Sequence, residues 1–117
     1  MKLGCVNIST TNVDEMRDFY SLVLNTPYDD FLAPDRYEIK LGDVGIIICR
    51  ASTPTVINPE NCGLEFAVED VDAEYDRLVK LGIKPDNSPV TLPWNYRYFS
   101  VKDPDGNNLD FVQNLNE

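Results

Sequence analysis

Apolar and polar residues alternate along Gly4–Thr10, with Val6, Ile8 and Thr10 on one side and Cys5, Asn7 and Ser9 on the other. That two-residue period predicts a strand with one apolar and one polar face. The period then lengthens: Val13, Met16, Phe19, Tyr20 and Val23 recur at helical spacing, which predicts an amphipathic helix laid on a sheet. Asn12 with Glu15 three residues on reads as a capping box. Asn25-Thr26-Pro27 should end the helix, because proline disfavours helical geometry in the residue before it. Three strands are expected next, Tyr28–Leu32, Arg36–Leu41 and Val44–Cys49, separated by Ala33-Pro34-Asp35 and Gly42-Asp43. Ile46-Ile47-Ile48 is apolar on both faces and should be covered on both. The stretch Arg50–Asn61, carrying Pro54 and Pro59, reads as a linker.

Then the pattern restarts. Leu64, Phe66 and Val68 alternate with Glu65 and Ala67, and Asp70-Val71-Asp72 opens a helix with Val71, Tyr75, Leu78 and Leu81 on its apolar side. Gly82 is its expected C-terminal cap. An offset of 58 residues lays Val13 on Val71, Asp14 on Asp72 and Asp18 on Asp76, and it sets Val6 and Ile8 on Leu64 and Phe66. Strands are expected at Val90–Leu92, Tyr96–Val101 and Asn108–Gln113. Asp103-Pro104-Asp105-Gly106-Asn107 suits a type I turn whose Asp103 side chain accepts nearby backbone amides. The chain thus reads as one α+β domain of two strand–helix–strand–strand–strand modules, residues 1–50 and 62–117, with a linker at 51–61. With the apolar sheet faces given to the helices, the opposite faces collect Cys5, Asn7, Ser9, Glu65, Asn108 and Asp110, an unusually polar set for a sheet interior.

Length and composition narrow the chemistry. The chain has 117 residues, 43% of them apolar, which suits one globular domain with a modest core. Ten basic residues against twenty acidic ones give a net charge of −10. That balance argues against nucleic acid and anionic membranes as partners, and it attracts cations. No histidine is present, which removes histidine-based hydrolase triads and the usual zinc and non-haem iron sites. Cys5, Cys49 and Cys62 are odd in number and lack CxxC spacing, as expected of reduced thiols in a cytoplasmic protein. No apolar run approaches the roughly 20 residues of a membrane-spanning helix, and Met1-Lys2-Leu3-Gly4 carries no signal-peptide core. A soluble, cytoplasmic protein is expected.

The element order and several motifs resemble the vicinal oxygen chelate superfamily of glyoxalases, bleomycin resistance proteins and extradiol dioxygenases. The resemblance rests on Asn12-Val13-Asp14 with Phe19-Tyr20, and on Gly63-Leu64-Glu65-Phe66 with Asp70-Val71-Asp72. It also rests on Pro93-Trp94-Asn95 with Arg97 and Phe99, and on the Asp103–Asn107 turn. It implies two βαβββ modules whose curved sheets form a half-open barrel around a cavity, in a homodimer. The family's metal enzymes hold a divalent ion at four places, which correspond here to Cys5, to Ile47 or Cys49, to Gly63 and to Asp110. Gly63 and Ile47 offer no donor, and thiolate with carboxylate suits a hard octahedral ion poorly. A Cys5–Cys49–Glu65–Asp110 site is the variant that remains for a metal-dependent glyoxalase- or dioxygenase-like enzyme. The leading expectation is a cavity without metal or other cofactor that binds a small cationic or aromatic compound, as the antibiotic resistance branch of the family implies.

The ligand-binding candidates are Cys5, Asn7, Glu65, Trp94, Tyr96, Tyr98 and Asp110. Glu65 and Asp110 can act as acid and base or trap a cation; alternatively Asp110 bonds Asn7 or Asn108 and holds the sheet. Trp94, Tyr96 and Tyr98 share strand parity, which Ser100 continues. They can stack on a planar cation, or else fill a dimer seam or cover the barrel mouth. Arg97 either meets an anionic group or pairs with a neighbouring acid. The acidic helix residues Asp14, Glu15, Asp18, Asp72, Glu74 and Asp76 read as solvated surface. Cys5 has no evident base to make it a nucleophile.

Overall fold

The computed structural model describes residues 1–54 and 63–116, so Cys62 and most of the expected linker lie outside the described residues. Two compact units emerge, Met1–Ile57 and Asn58–Glu117. The first holds β1 (Cys5–Thr10), α1 (Val13–Val23), β2 (Tyr28–Asp30), β3 (Arg36–Leu41) and β4 (Val44–Arg50). The second holds β5 (Gly63–Ala67), α2 (Val71–Lys80), β6 (Val90–Thr91), β7 (Tyr96–Lys102) and β8 (Asn108–Asn114). Each sheet has four strands, in the orders β1-β4-β3-β2 and β5-β8-β7-β6. In both, the first strand runs parallel to the last and the other neighbours are antiparallel. The two modules therefore repeat one α+β topology.

The pairing registers place the repeat residue by residue. Asn7 faces Ile47, which faces Glu38, in the first sheet. Glu65 faces Asp110, which faces Ser100, in the second. Ile47 therefore occupies the position of Asp110, and Cys49 is the wrong choice of the two.

Apolar periodicity decides which faces pack. Val13, Met16, Tyr20 and Val23 of α1 are buried with Ile39, Ile46 and Ile48. Val71 and Leu78 of α2 are buried with Phe99, Val101, Leu109 and Phe111. Phe99 is the hub of the second core: it stacks on Phe111 at 5.1 Å between centroids and meets Tyr75 edge-on at 5.4 Å. Leu81, expected on the apolar side of α2, is instead exposed at the helix C-cap, beyond the last turn that faces the sheet.

The helix ends follow capping chemistry. Asp70 caps α2, its Oδ1 accepting from the Ala73 amide at 3.1 Å, and the Val71 amide donates to Gln113 of β8 at 3.0 Å. Asn12 holds the N-cap position of α1, but its side chain makes no cap hydrogen bond; Thr10 Oγ1 accepts from the Asn12 amide instead. The expected capping box does not form. Both helices close with the same paired bonds. Gly82 (φ +86°) donates to Val79 and Ile83 to Leu78; Asn25 (φ +49°) donates to Leu22 and Thr26 to Ser21. This is the Schellman arrangement, with Asn25 in the left-handed role that Gly82 fills in the second module.

Strand ends shift by one or two residues from expectation. β2 stops at Asp30, because Leu32 (φ +70°) and Asp35 (φ +56°) bend the chain into a loop. β6 stops at Thr91, where the loop into β7 begins.

Candidate functional site

Strand parity puts Glu65, Asn108, Asp110, Val112, Tyr96, Tyr98, Ser100 and Lys102 on the face of the second sheet opposite α2. The loop between β6 and β7 sets Trp94 beside that face. Its backbone closes through Leu92 N–H to Tyr96 O (2.7 Å) and Asn95 N–H to Leu92 O (2.9 Å), with Asn95 at φ +65°. The loop before β8 is built the same way, from Asp103 N–H to Asn107 O and Gly106 N–H to Asp103 O, with Gly106 at φ +96°. Asp103 is buried there, its carboxylate accepting from the Asp105 and Asn107 amides at 3.0 and 2.8 Å, as its sequence position implies.

These elements line an open pocket of about 280 Å³ formed by Glu65, Leu92, Trp94, Tyr96, Tyr98, Asp110 and Val112. Five of the residues singled out from sequence thus line one pocket of the second unit. Trp94 is 61% exposed, and it stands in the loop rather than on the strand whose parity it continues. Cys5 and Asn7 lie on β1 of the first unit, both exposed, with Cys5 Sγ donating to Asn7 Oδ1 at 3.9 Å. Cys49 Sγ lies 3.6 Å from Ser9 Oγ and donates to the Ile8 carbonyl at 3.7 Å.

Asp110 is the best-anchored group in the pocket. Its Oδ1 accepts from Ser100 Oγ at 2.5 Å and from Asn108 Nδ2 at 2.9 Å. Lys102 Nζ donates to Asn108 Oδ1 at 3.0 Å and to Asp86 Oδ2 at 2.5 Å, which fixes the orientation of the Asn108 amide. Asn87 Oδ1 accepts from the Ser100 amide at 3.0 Å. Sequence reasoning misses Lys102, Asp86 and Asn87; the shared parity of Lys102 and Ser100 was the available signal for the first of these. Glu65 and Asp110 are direct partners on neighbouring strands, whose spacing is about 4.8 Å. Among the described residues neither carboxylate forms an ion pair.

Arg97 faces the other way. It grips Asp72 with two bonds of 3.0 Å and donates to Thr91 Oγ1 at 3.0 Å, the pairing with a neighbouring acid that was one of its two expected roles. The guanidinium holds the Asp72 carboxyl below its ordinary pKa. Asp72, expected as free surface, therefore ties α2 to β7. Asp14 and Asp18 likewise bond Arg17, at 3.1 and 2.9 Å, while Arg17 packs against the Tyr28 and Tyr37 rings at 4.5 and 4.7 Å.

A hard divalent ion needs several oxygen donors converging on one point. Among the described residues no three Cys, Asp or Glu side chains gather in that way. The positions equivalent by register to Asp110 and Cys5 are Ile47 and Gly63, which bring no donor. The donor set does not fit the metal centre that the family resemblance implies. No helix among the described residues is long and apolar enough to cross a membrane.

Comparison with known proteins agrees with this fold. The sequence model of the Glyoxalase/Bleomycin resistance protein/Dioxygenase superfamily matches residues 2–111. "Uncharacterized protein YraH" of Bacillus subtilis is 26% identical, covering 98% of this chain and 100% of that protein. A glyoxalase/bleomycin resistance protein/dioxygenase family enzyme from Burkholderia phytofirmans PsJN superposes with a TM-score of 0.82 at 19% identity, covering 98% of this chain and 100% of that one. Lactoylglutathione lyase from Agrobacterium tumefaciens superposes with a TM-score of 0.73 at 18% identity, over 96% and 92% of the two chains. The chain belongs to the Glyoxalase/Bleomycin resistance protein/Dioxygenase superfamily.

Proposed function

We propose that the protein binds a small planar cation in the pocket of its second module and does so without a metal ion. The observation that carries this reading is the pairing of Glu65 with Asp110, unneutralised, inside a wall of Trp94, Tyr96 and Tyr98. Two neighbouring carboxylates repel each other, and a cation between them relieves that repulsion. Aromatic faces attract the same cation through their quadrupoles, by about 1–2 kcal/mol for a well-placed ring. The net charge of −10 raises the local concentration of cations and speeds their approach. A bound compound held this way is sequestered rather than transformed.

Calorimetric titration with protonated 4-aminoquinoline, a flat cation at pH 7, tests this reading. One saturable site is expected, weakened roughly tenfold by Trp94→Ala and weakened by added salt, with the compound recovered chemically unchanged. Absence of binding, or equal affinity for the anion naphthalene-1-sulfonate, overturns it.

A further inference from the structure

The ligand class can be narrowed by asking which lone pairs the pocket leaves for an occupant; the answer rests on the proposed cation site. Both side-chain bonds to Asp110 land on one oxygen. Ser100 Oγ and Asn108 Nδ2 donate to Oδ1, and among the described residues nothing bonds Oδ2. The arrangement is held from behind, since Lys102 is anchored on Asp86 and donates to Asn108 Oδ1. Asn108 can therefore present only its amino group to Asp110. The two carboxylate oxygens are equivalent, so whichever one takes these two bonds leaves the other facing the pocket. Glu65, exposed and directly across the strand pair, makes no side-chain hydrogen bond among the described residues. The pocket thus contains an anchored carboxylate with one open oxygen, beside a second carboxylate that is open altogether.

A quaternary ammonium ion would satisfy the charge but leave Oδ2 without a donor once water is displaced. A polar group desolvated without a partner weakens binding. We infer that the pocket selects cations that carry at least one N–H, protonated amines or amidinium groups on a flat apolar body, over permanently methylated cations of the same shape. The N–H bonds Asp110 Oδ2 or Glu65, while the body lies against Trp94 and Tyr98. Ser100, Asn108 and Lys102 are the positioning residues of this recognition: they touch Asp110, not the ligand.

A graded series tests it: benzylammonium, benzyldimethylammonium and benzyltrimethylammonium, all singly charged at pH 7, titrated calorimetrically into the wild-type protein. Each step adds methyl groups, but only the last leaves no N–H. The first two should bind within a few-fold of each other, and the third should be weaker by roughly tenfold or more, the scale of one lost charge-assisted hydrogen bond. In Asp110→Asn that last step should shrink. Trimethylated binding as tight as dimethylated in the wild type overturns the inference and leaves the cation site standing. Failure of all three to bind overturns the inference, and silence of protonated 4-aminoquinoline as well overturns the cation site too. Should Asp110→Asn not fold, the wild-type series decides alone.

Discussion

Asn108 donates to the Oδ1 of Asp110 at 2.9 Å while accepting from Lys102 at 3.0 Å, so one amide passes the influence of a cation to the pocket carboxylate. Replacing Asn108 by Ala removes one of two donors to a half-buried charge. The expected cost is about 1.5–3 kcal/mol of stability, by the usual worth of a hydrogen bond to a charged group, together with several-fold weaker binding of protonated 4-aminoquinoline. Urea unfolding and calorimetry read the two effects separately. Lys102→Met should be milder on stability, since its ion pair with Asp86 is partly exposed.

The two Schellman caps give a comparison within one protein. Gly82→Ala meets no atom within 4 Å, so its cost comes from φ +86° alone, about 1 kcal/mol or somewhat more. Asn25→Gly at φ +49° relaxes the same strain and should change stability by less than about 0.5 kcal/mol. Denaturant midpoints at constant slope are the readout.

Phe99 touches both Phe111 and Tyr75 and is fully buried. Phe99→Ala should cost about 3–5 kcal/mol, a large share of the stability of a domain this size. Phe99→Leu should cost much less. Thermal and urea unfolding of the two variants check the order.

The Asp72–Arg97 pair sets part of the acid limb of stability. Arg97 lowers the Asp72 pKa in the folded state, so the unfolded chain binds the proton more readily. The contribution is fully present above the unfolded value, about 4, and is lost as pH falls through the lower folded value. Asp72→Asn should flatten the stability profile below about pH 4 and lower the plateau at pH 7. An unchanged profile would contradict the pairing.

How much of this was legible beforehand varies with the kind of signal. The duplicated topology followed from periodicity, because a strand or helix with one buried face must repeat its apolar residues at the matching interval. Glu65, Asp110, Tyr96 and Tyr98 followed from strand parity alone. The capping box at Asn12 failed because capping depends on backbone angles that residue identity does not set; Asn25 was credited to Pro27 because asparagine is a weaker left-handed signal than glycine. The choice between Ile47 and Cys49 needed the ladder register, because the two share a strand face and differ only by a two-residue shift that parity does not detect. Lys102, Asp86 and Asn87 were missed because their role lies in side-chain bonds across a sheet and a loop, which no spacing rule encodes.

The most direct test of the cation pocket is a ¹H–¹⁵N titration. Trp94 is the sole tryptophan, so a single indole cross-peak reports on the pocket wall. With protonated 4-aminoquinoline, that peak and the amides of Glu65, Tyr98 and Asp110 should shift together along one saturation curve. The shifts should be lost in Glu65→Gln/Asp110→Asn. A saturable shift that spares Trp94, or one that persists unchanged in the double variant, would contradict the account.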